Sequence, residues 1–428
     1  MFPILALALG CRPPATIRQA FQAPSPHEQY AASLSDAGLG ETGLGRSWVE
    51  ASRRALLAPI KVTLPFREAA YFSPAEAAAV GYQFELRRGQ QFSLECVVEG
   101  GEPFAVFLDL FEPGEEPKRV ASASTDERRL EFEAERDGSY ILRVQPELLR
   151  GGRVVVTQRV SASLAFPVPA AVGRVHSVFG DPRDSGVRNH EGIDIFAARG
   201  TPAVAAVDGI VRHVGTNNLG GNVVWIWDTK RDLSYYYAHL DRPTVRAGQR
   251  VKVGETVGHI GNTGNARATA PHLHFGIYAV TAGALDPLPF VVSPPGEPAA
   301  LPGDLAMLGK RRRASRNVRL TSAGGADPAR ALPRHTVFFV DAAVGNRLRV
   351  RLPDGTLGFV ARADTEAVAT AVRRFTPRES RPLLDRPAED GVVVQALAPG
   401  APVPVFGVFS GYLFVRVPPG REGWIPGP

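Results

Sequence analysis

The stretch Pro271-His272-Leu273-His274-Phe275-Gly276-Ile277-Tyr278 decides how the central part of this 428-residue chain is interpreted. Apolar residues separate its two histidines and follow them, which predicts a buried β-strand. Successive side chains of a strand point to opposite faces, so His272 and His274 share one face while Leu273 and Phe275 share the other. Two imidazoles side by side allow one to bind a metal while its neighbour stays free for proton transfer.

A second motif upstream supplies further metal ligands. In His190-Glu191-Gly192-Ile193-Asp194, the first and last residues offer a nitrogen and an oxygen. With His274 they make three protein ligands and an open fourth position, which is typical of a catalytic zinc site and not of a structural one. The stretch is not the helical His-Glu-x-x-His zinc motif, because position 194 is Asp and Gly192 disfavours a helix interior.

Histidine is concentrated in this region of the chain. Of nine histidines, seven lie between Arg174 and Val280: His176, His190, His213, His239, His259, His272 and His274. His239 belongs to a third motif, Tyr235-Tyr236-Tyr237-Ala238-His239-Leu240. Since His176, His213 and His259 have no motif partner, they are predicted to be surface or packing residues.

The three motifs, taken in this order, resemble the lysostaphin-type zinc endopeptidases that cut peptidoglycan peptides. The connecting segments Ser177-Val178-Phe179-Gly180 and Gly261-Asn262-Thr263-Gly264 fit the same family. The resemblance covers about residues 172–285. It implies a compact antiparallel β fold with the metal at the floor of a groove.

The resemblance also implies a role for each motif residue. His190, Asp194 and His274 would bind one Zn²⁺ per chain, and His239 and His272 would be the unliganded catalytic histidines. Zinc lowers the pKa of a bound water to about 7, and hydrolysis would proceed through that zinc-bound water. One catalytic histidine would pass the water proton to the leaving amine and the other would stabilise the oxyanion, in an order that the sequence leaves open.

Two further residues, Tyr237 and Asn222, are expected to contact substrate in the groove. For each of them a structural role is an equal alternative. Tyr237 could instead be a core residue, and Asn222 a turn residue after Gly220-Gly221.

These observations predict a zinc-dependent endopeptidase that hydrolyses peptide cross-links or stem peptides of bacterial peptidoglycan. The alternative is a non-catalytic cell-wall-binding scaffold or a regulator of other wall hydrolases. The net charge of +6 is spread along the chain and does not single out nucleic acid. Peptidoglycan peptides are therefore the expected partner, and nucleic acid is not.

The remainder of the chain is predicted to be mainly β and multidomain, because Gly 44 and Pro 37 favour turns over long helices. The expected units are a helical pair over residues 27–58, an antiparallel β-sandwich over 59–168, the metallopeptidase domain over 169–290, a Pro-rich basic linker over 291–317, and two SH3-like β-barrels over 318–372 and 378–428. In the sandwich, Cys96 shares strand parity with Phe92 and Leu94, which predicts a buried, unreactive thiol.

An internal repeat supports the two C-terminal units. Residues 348–355 (LRVRLPDG) are echoed by residues 413–420 (LFVRVPPG), and Gly358-Phe359-Val360 is echoed by Gly423-Trp424-Ile425. The offset is 65 residues in both cases, from Leu348 to Leu413 and from Gly358 to Gly423.

The chain begins with the apolar run MFPILALALG followed by Cys11. This length suits the core of an export signal and is too short to cross a bilayer. Residues 1–26 are thus expected to be an export signal or a lipoprotein tether, with membrane attachment through a lipidated Cys11. The expected location is the cell envelope, either the periplasm or a membrane-anchored lipoprotein.

Overall fold

The computed structural model describes residues 23–100, 102–322 and 329–428. Of the predicted export signal or tether over residues 1–26, residues 1–22 with Cys11 lie outside the described residues. Strands account for 48% of the described residues and helices for 10%, which confirms the prediction of a mainly β protein. Within the described ranges, no helix combines the length and the apolar character needed to cross a membrane.

Two helices come first, α1 (Pro26–Asp36) and α2 (Gly43–Leu57). α1 begins with a capping box, in which the Ser25 hydroxyl accepts from the Glu28 backbone N–H and the Glu28 carboxylate accepts from the Ser25 N–H. Trp48 of α2 is 1% exposed and packs against the β domain that follows.

Nine strands follow the helices. They are β1 (Ile60–Lys61), β2 (Phe66–Phe72), β3 (Val80–Leu86), β4 (Gln90–Glu99), β5 (Val106–Glu112), β6 (Lys118–Ser122), β7 (Arg129–Glu133), β8 (Gly138–Pro146) and β9 (Gly152–Ala162). One sheet has the order β1-β3-β8-β5-β6, and a second contains β2-β9-β4-β7. Apolar side chains from both sheets form one core. Cys96 lies in that core, and burial raises the pKa of its thiol to about 12.

The central region contains twelve strands and one short helix. They are β10 (Arg174–Ser177), β11 (Pro182–Arg183), β12 (Arg188–Asn189), β13 (Ile193–Phe196), β14 (Pro202–Val204), β15 (Gly209–Asn217), β16 (Gly221–Asp228), β17 (Leu233–Pro243), β18 (Arg250–Val251), β19 (Thr256–Ile260), β20 (His272–Ala279), β21 (Gly283–Leu285) and α3 (Leu288–Val291). The main sheet has the order β10-β13-β20-β17-β16-β15-β18, and β11 and β12 form a separate hairpin. The apolar core covers one face of this sheet, so its other face can carry polar groups.

Thirteen strands complete the chain. They are β22 (Arg311–Ala314), β23 (Val318–Ser322), β24 (Arg330–Leu332), β25 (Val337–Val344), β26 (Arg347–Arg351), β27 (Leu357–Ala361), β28 (Thr365–Ala367), β29 (Arg373–Phe375), β30 (Arg381–Leu384), β31 (Val393–Leu397), β32 (Val403–Phe409), β33 (Tyr412–Val417) and β34 (Arg421–Pro426). The 65-residue offset recurs in their hydrogen bonding. β25 has a bulge between Val340 and Ala342, and β32 has one between Val405 and Gly407. That the two units are SH3-like barrels stays a prediction.

The predicted basic linker over residues 291–317 is wrong at its C-terminal end. Residues 311–314 form β22, which pairs with both β25 and β28. The Arg313 guanidinium is buried, and it donates to the Glu366 carboxylate and to the carbonyls of Thr370 and Phe406. A basic run can enter a sheet when each buried cation finds acceptors in this way. The linker is correspondingly shorter than predicted.

The N-terminal β domain and the first C-terminal unit share one sheet. β2 pairs with β9 on one side and with β25 on the other, through Ala69 opposite Ala343 and Ala70 opposite Ala342. Beside this junction, the buried Arg349 guanidinium donates to the buried Glu68 carboxylate at 2.8 Å.

Candidate metal centre and active-site groove

Three adjacent strands of the central sheet carry the motif residues to one face. Asp194 of β13 lies opposite His274 of β20, and His274 lies opposite Ala238 of β17. The neighbours of Asp194 along its strand, Ile193 and Ile195, are fully buried in the core on the other face. Strand alternation thus places apolar side chains inside and ligand-type side chains outside.

The ligand-type atoms of His190, Asp194 and His274 form a tight triangle. His190 Nε2 lies 2.9 Å from His274 Nδ1 and 3.0 Å from Asp194 Oδ1, and His274 Nδ1 lies 3.1 Å from Asp194 Oδ1. In tetrahedral zinc sites with bonds of about 2.0–2.1 Å, neighbouring ligand atoms are separated by about 3.3 Å. An opening of about 0.3 Å would therefore fit the triangle to zinc, and the two-imidazole, one-carboxylate set suits that metal.

The backbone fixes the tautomer of His190. Its Nδ1–H donates to the Val178 carbonyl at 2.9 Å, which leaves the Nε2 lone pair directed at the triangle. Such outer hydrogen bonds orient ligand imidazoles and raise their basicity. Gly192 leaves room for the second ring, because a Cβ there would lie 2.9 Å from His274 Nε2 and 2.5 Å from the Phe275 carbonyl oxygen.

The surroundings of Asp194 and His274 favour the protonation states that bind a metal. Burial opposes ionisation of Asp194, yet the close approach of the His190 and His274 imidazoles holds the pKa of its carboxyl well below its usual range. Burial also lowers the pKa of His274. A deprotonated carboxylate beside a neutral imidazole is the state that metal binding requires.

A β-bulge delivers His239 to the same face. In the pairing of β16 with β17, Val224 lies opposite Tyr237 and Asn222 opposite Leu240, so two residues of β17 face one of β16. His239 has φ 60°, a left-handed conformation that costs a residue with a side chain about 1–2 kcal/mol. Bulges re-aim side chains next to active sites in this manner.

His239 and His272 both present Nε2 to the groove. The Nδ1–H of His239 donates to the Thr263 carbonyl at 2.8 Å, and that of His272 donates to the Ala270 carbonyl at 2.9 Å. The two rings lie 4.9 Å apart between centroids. Burial lowers the pKa of His239 to about 4, so this imidazole is neutral at physiological pH and can accept a proton.

The five residues line a cavity of about 1010 Å³ between the hairpin β11–β12 and the loops after β15 and β19. Its described lining comes entirely from the central region, and neither the N-terminal helices nor the C-terminal units contribute to it. One wall is aromatic, because Tyr236 contacts Trp225 with ring centroids 4.5 Å apart and meets His274 edge-on at 5.8 Å.

The expectation that Tyr237 contacts substrate is wrong. Tyr237 is fully buried in the apolar core, where its hydroxyl accepts from the Ala206 backbone N–H at 2.9 Å. Regular alternation would put Tyr237 on the same face as His239, but the bulge intervenes between them. Tyr236 lines the groove in its place.

Asn222 does not line the groove either, which corrects the second substrate-contact expectation. It is the second residue of β16, and its side-chain amide donates to the carbonyls of Leu240 and Asp241. Its backbone N–H donates to the Thr263 hydroxyl. Asn222 thus ties the bulged segment of β17 to the loop that holds His239, which is a structural role.

The three histidines that have no motif partner in the sequence lie in different places. His213 is exposed, and His259 is half-buried in β19. His176 is exposed at the rim of the groove, edge-on to Phe196.

Arg183 is a further site residue, which the sequence motifs do not predict. Its guanidinium Nη2 donates to Asp194 Oδ2 at 2.7 Å from the hairpin β11–β12. Neither a motif nor a periodic pattern marks this position, so only the folded hairpin shows the contact.

Comparison with known proteins identifies a family for the central region. Residues 188–287 match the sequence profile of Peptidase family M23. They form an M23 peptidase domain. The chain is 41% identical over 102 residues to the peptidoglycan DD-endopeptidase ShyC of Vibrio cholerae, covering 24% of this chain and 22% of that protein. It is 36% identical over 137 residues to an L-Ala–D-Glu endopeptidase of Bacillus subtilis, covering 29% and 42%.

The match to both curated relatives thus spans less than half of their length. Among solved structures, the catalytic domain of lysostaphin from Staphylococcus simulans is 32% identical, covering 28% of this chain and 91% of that one with a TM-score of 0.26.

Proposed function

We propose that the protein is a zinc-dependent endopeptidase that hydrolyses peptide cross-links or stem peptides of peptidoglycan. The observation that carries this proposal is the convergence of five side chains on one cavity: a triangle of ligand atoms, and two further imidazoles that each present a free nitrogen. The M23 domain supports it, as do relatives named as a peptidoglycan DD-endopeptidase and an L-Ala–D-Glu endopeptidase.

The metal would be held by His190 Nε2, Asp194 Oδ1 and His274 Nδ1. Bound zinc would supply a Lewis acid that acidifies water and polarises the scissile carbonyl. The three residues would hold the ligand atoms in place before the metal binds. Two of them lie directly opposite each other on paired strands, and His190 is fixed by the Val178 carbonyl, so little reorganisation is needed on binding.

The two free histidines would move the proton. Because their Nδ1 atoms donate to backbone carbonyls, both Nε2 atoms are acceptors when the rings are neutral. One Nε2 takes a proton from the attacking water and returns it to the leaving amine. The other would donate to the developing oxyanion in its imidazolium form, with an Nε2 proton taken up from solvent before the step, a contribution of about 3 kcal/mol.

We also propose that the protein acts in the cell envelope, where its substrate lies. A relative from Escherichia coli that is 41% identical over 103 residues is named as a lipoprotein, YgeR.

Alanine substitution separates the roles of the site residues. We expect His274→Ala to lose both zinc and hydrolysis of purified peptidoglycan, and His272→Ala to keep zinc while losing hydrolysis. His213→Ala is the matched control, because this exposed histidine belongs to the same domain and lies outside the groove; it should keep both properties. Full wall-degrading activity in both the His274 and the His272 variants would refute the proposal.

A further inference from the structure

Arg183 holds the oxygen of Asp194 that faces away from the ligand triangle. Oδ1 lies 3.0 Å from His190 Nε2 and 3.1 Å from His274 Nδ1, whereas Oδ2 lies 2.7 Å from Arg183 Nη2. The guanidinium and the histidine pair thus divide the two carboxylate oxygens between them. The Asp194 side chain is 12% exposed and the Arg183 side chain 28%, so water competes only weakly for Oδ2.

A short polar chain anchors the guanidinium in turn. Arg183 Nη2 also donates to the Ser177 hydroxyl at 2.5 Å, and that hydroxyl donates to Asp181 Oδ2 at 2.7 Å. Asp181 Oδ2 additionally accepts from the Val178 backbone N–H, and Val178 is the residue whose carbonyl orients His190. The segment 177–181 therefore orients His190 and also anchors Arg183, which holds Asp194.

The position of Arg183 is unfavourable for its hairpin taken alone. Arg183 of β11 lies directly opposite Arg188 of β12, and like charges opposite each other in an antiparallel pair are destabilising. The contact with the Asp194 carboxylate offsets this repulsion for Arg183. The hydrogen-bond acceptors of this cation, Ser177 and Asp194, both lie outside the hairpin.

We infer that Arg183 is a positioning residue that keeps Asp194 a single-oxygen metal ligand and so preserves the open fourth coordination position. A carboxylate can bind a metal through one oxygen or through both. With Oδ2 held by a charge-assisted hydrogen bond, only Oδ1 reaches the triangle. Without that hold, rotation of the carboxylate would bring Oδ2 towards the metal, into the space needed by water or substrate. This inference rests on the metal centre of the proposed function.

Cobalt substitution tests the inference without reference to activity. Co²⁺ is loaded into the metal-free full-length protein, and its visible absorption is recorded, because four-coordinate Co²⁺ absorbs far more strongly than five-coordinate Co²⁺. We expect Arg183→Met, which keeps the length of the side chain without its charge, to lose most of this absorption. Arg183→Lys should restore much of it, since an ammonium can still donate to Oδ2. Arg199→Ala is the control, because Arg199 pairs with Asp241 outside the groove and should leave the spectrum unchanged.

A wild-type spectrum in Arg183→Met would overturn the inference. So would equal losses in the Met and Lys variants, since the effect would then come from packing and not from the donated hydrogen bond. Ser177→Ala gives a second route that does not depend on folding of the Met variant, with a smaller loss in the same direction expected and no change counting against the inference. Failure of the proposed function looks different: a cobalt-binding wild-type protein with the expected variant spectra that cleaves no muropeptide.

Discussion

Gly192→Ala is expected to weaken metal binding through a single methyl group. The added Cβ would lie 2.5 Å from the Phe275 carbonyl oxygen, 2.8 Å from His274 Cε1 and 2.9 Å from His274 Nε2. The Phe275 carbonyl belongs to a central strand that is paired on both sides, so the side chain of His274 must yield. Overpacking of this kind costs about 1–3 kcal/mol, which corresponds to zinc binding about 5- to 150-fold weaker if the cost is borne by the ligand geometry.

The assay is competition for zinc between the protein and a chromophoric chelator, with circular dichroism to establish that the variant is folded. Gly138→Ala is the matched control, because a Cβ at that glycine meets no atom within 4 Å and its backbone is not in the left-handed region. A folded Gly192→Ala protein with the zinc affinity of the wild type would refute the packing argument.

Three further outcomes are expected. Glu68→Ala should lower the free energy of unfolding by about 3–5 kcal/mol in denaturant melts, because it leaves the Arg349 guanidinium buried and unpaired; a change below about 1 kcal/mol would contradict a buried pair. Burial lowers the pKa of His27 to about 4, so between pH 6.5 and 4 the unfolded chain binds a proton at this residue more readily than the folded protein does. The free energy of unfolding should therefore be unaffected by this residue above pH 6.5 and should fall by about 3 kcal/mol in total as pH falls from 6.5 to 4. His27→Gln should flatten the pH dependence of the melting temperature in that window, and an unchanged dependence would exclude His27 as its source. Tyr237→Phe should lower the free energy of unfolding by about 1–3 kcal/mol, because it leaves the Ala206 N–H unpaired, while the rate of hydrolysis per folded molecule stays at the wild-type value. A loss of activity without a loss of stability would indicate that Tyr237 belongs to the active site.

The strand that carries the two histidines was predictable because its evidence is local. Alternation alone places His272 and His274 on one face, and β20 shows Leu273 and Phe275 buried on the other. The 65-residue repeat is equally visible in the sequence, because it preserves the residue types. The structure adds that a β-bulge recurs at the same offset.

Sequence patterns fail to predict the structure where the backbone departs from a regular period or where a contact is distant in sequence. The bulge at His239 reverses the assignment of its neighbouring tyrosines, and no single residue type announces such a bulge. The sequence predicts a linker at Arg313 because the acceptors of its guanidinium, the carbonyls of Thr370 and Phe406, lie far along the chain. The contact of Arg183 with Asp194 likewise exists only once the hairpin has folded over the sheet.

We propose that this chain cleaves peptidoglycan peptides with a metal held by His190, Asp194 and His274. The most direct test of this claim is incubation of the purified full-length protein with defined muropeptides, followed by mass spectrometry of the products. We expect the zinc-loaded protein to release fragments with new peptide termini, the chelated protein to release none, and added zinc to restore cleavage. Equal cleavage after complete removal of metal, or no cleavage of any muropeptide by the zinc-loaded protein, would contradict the claim.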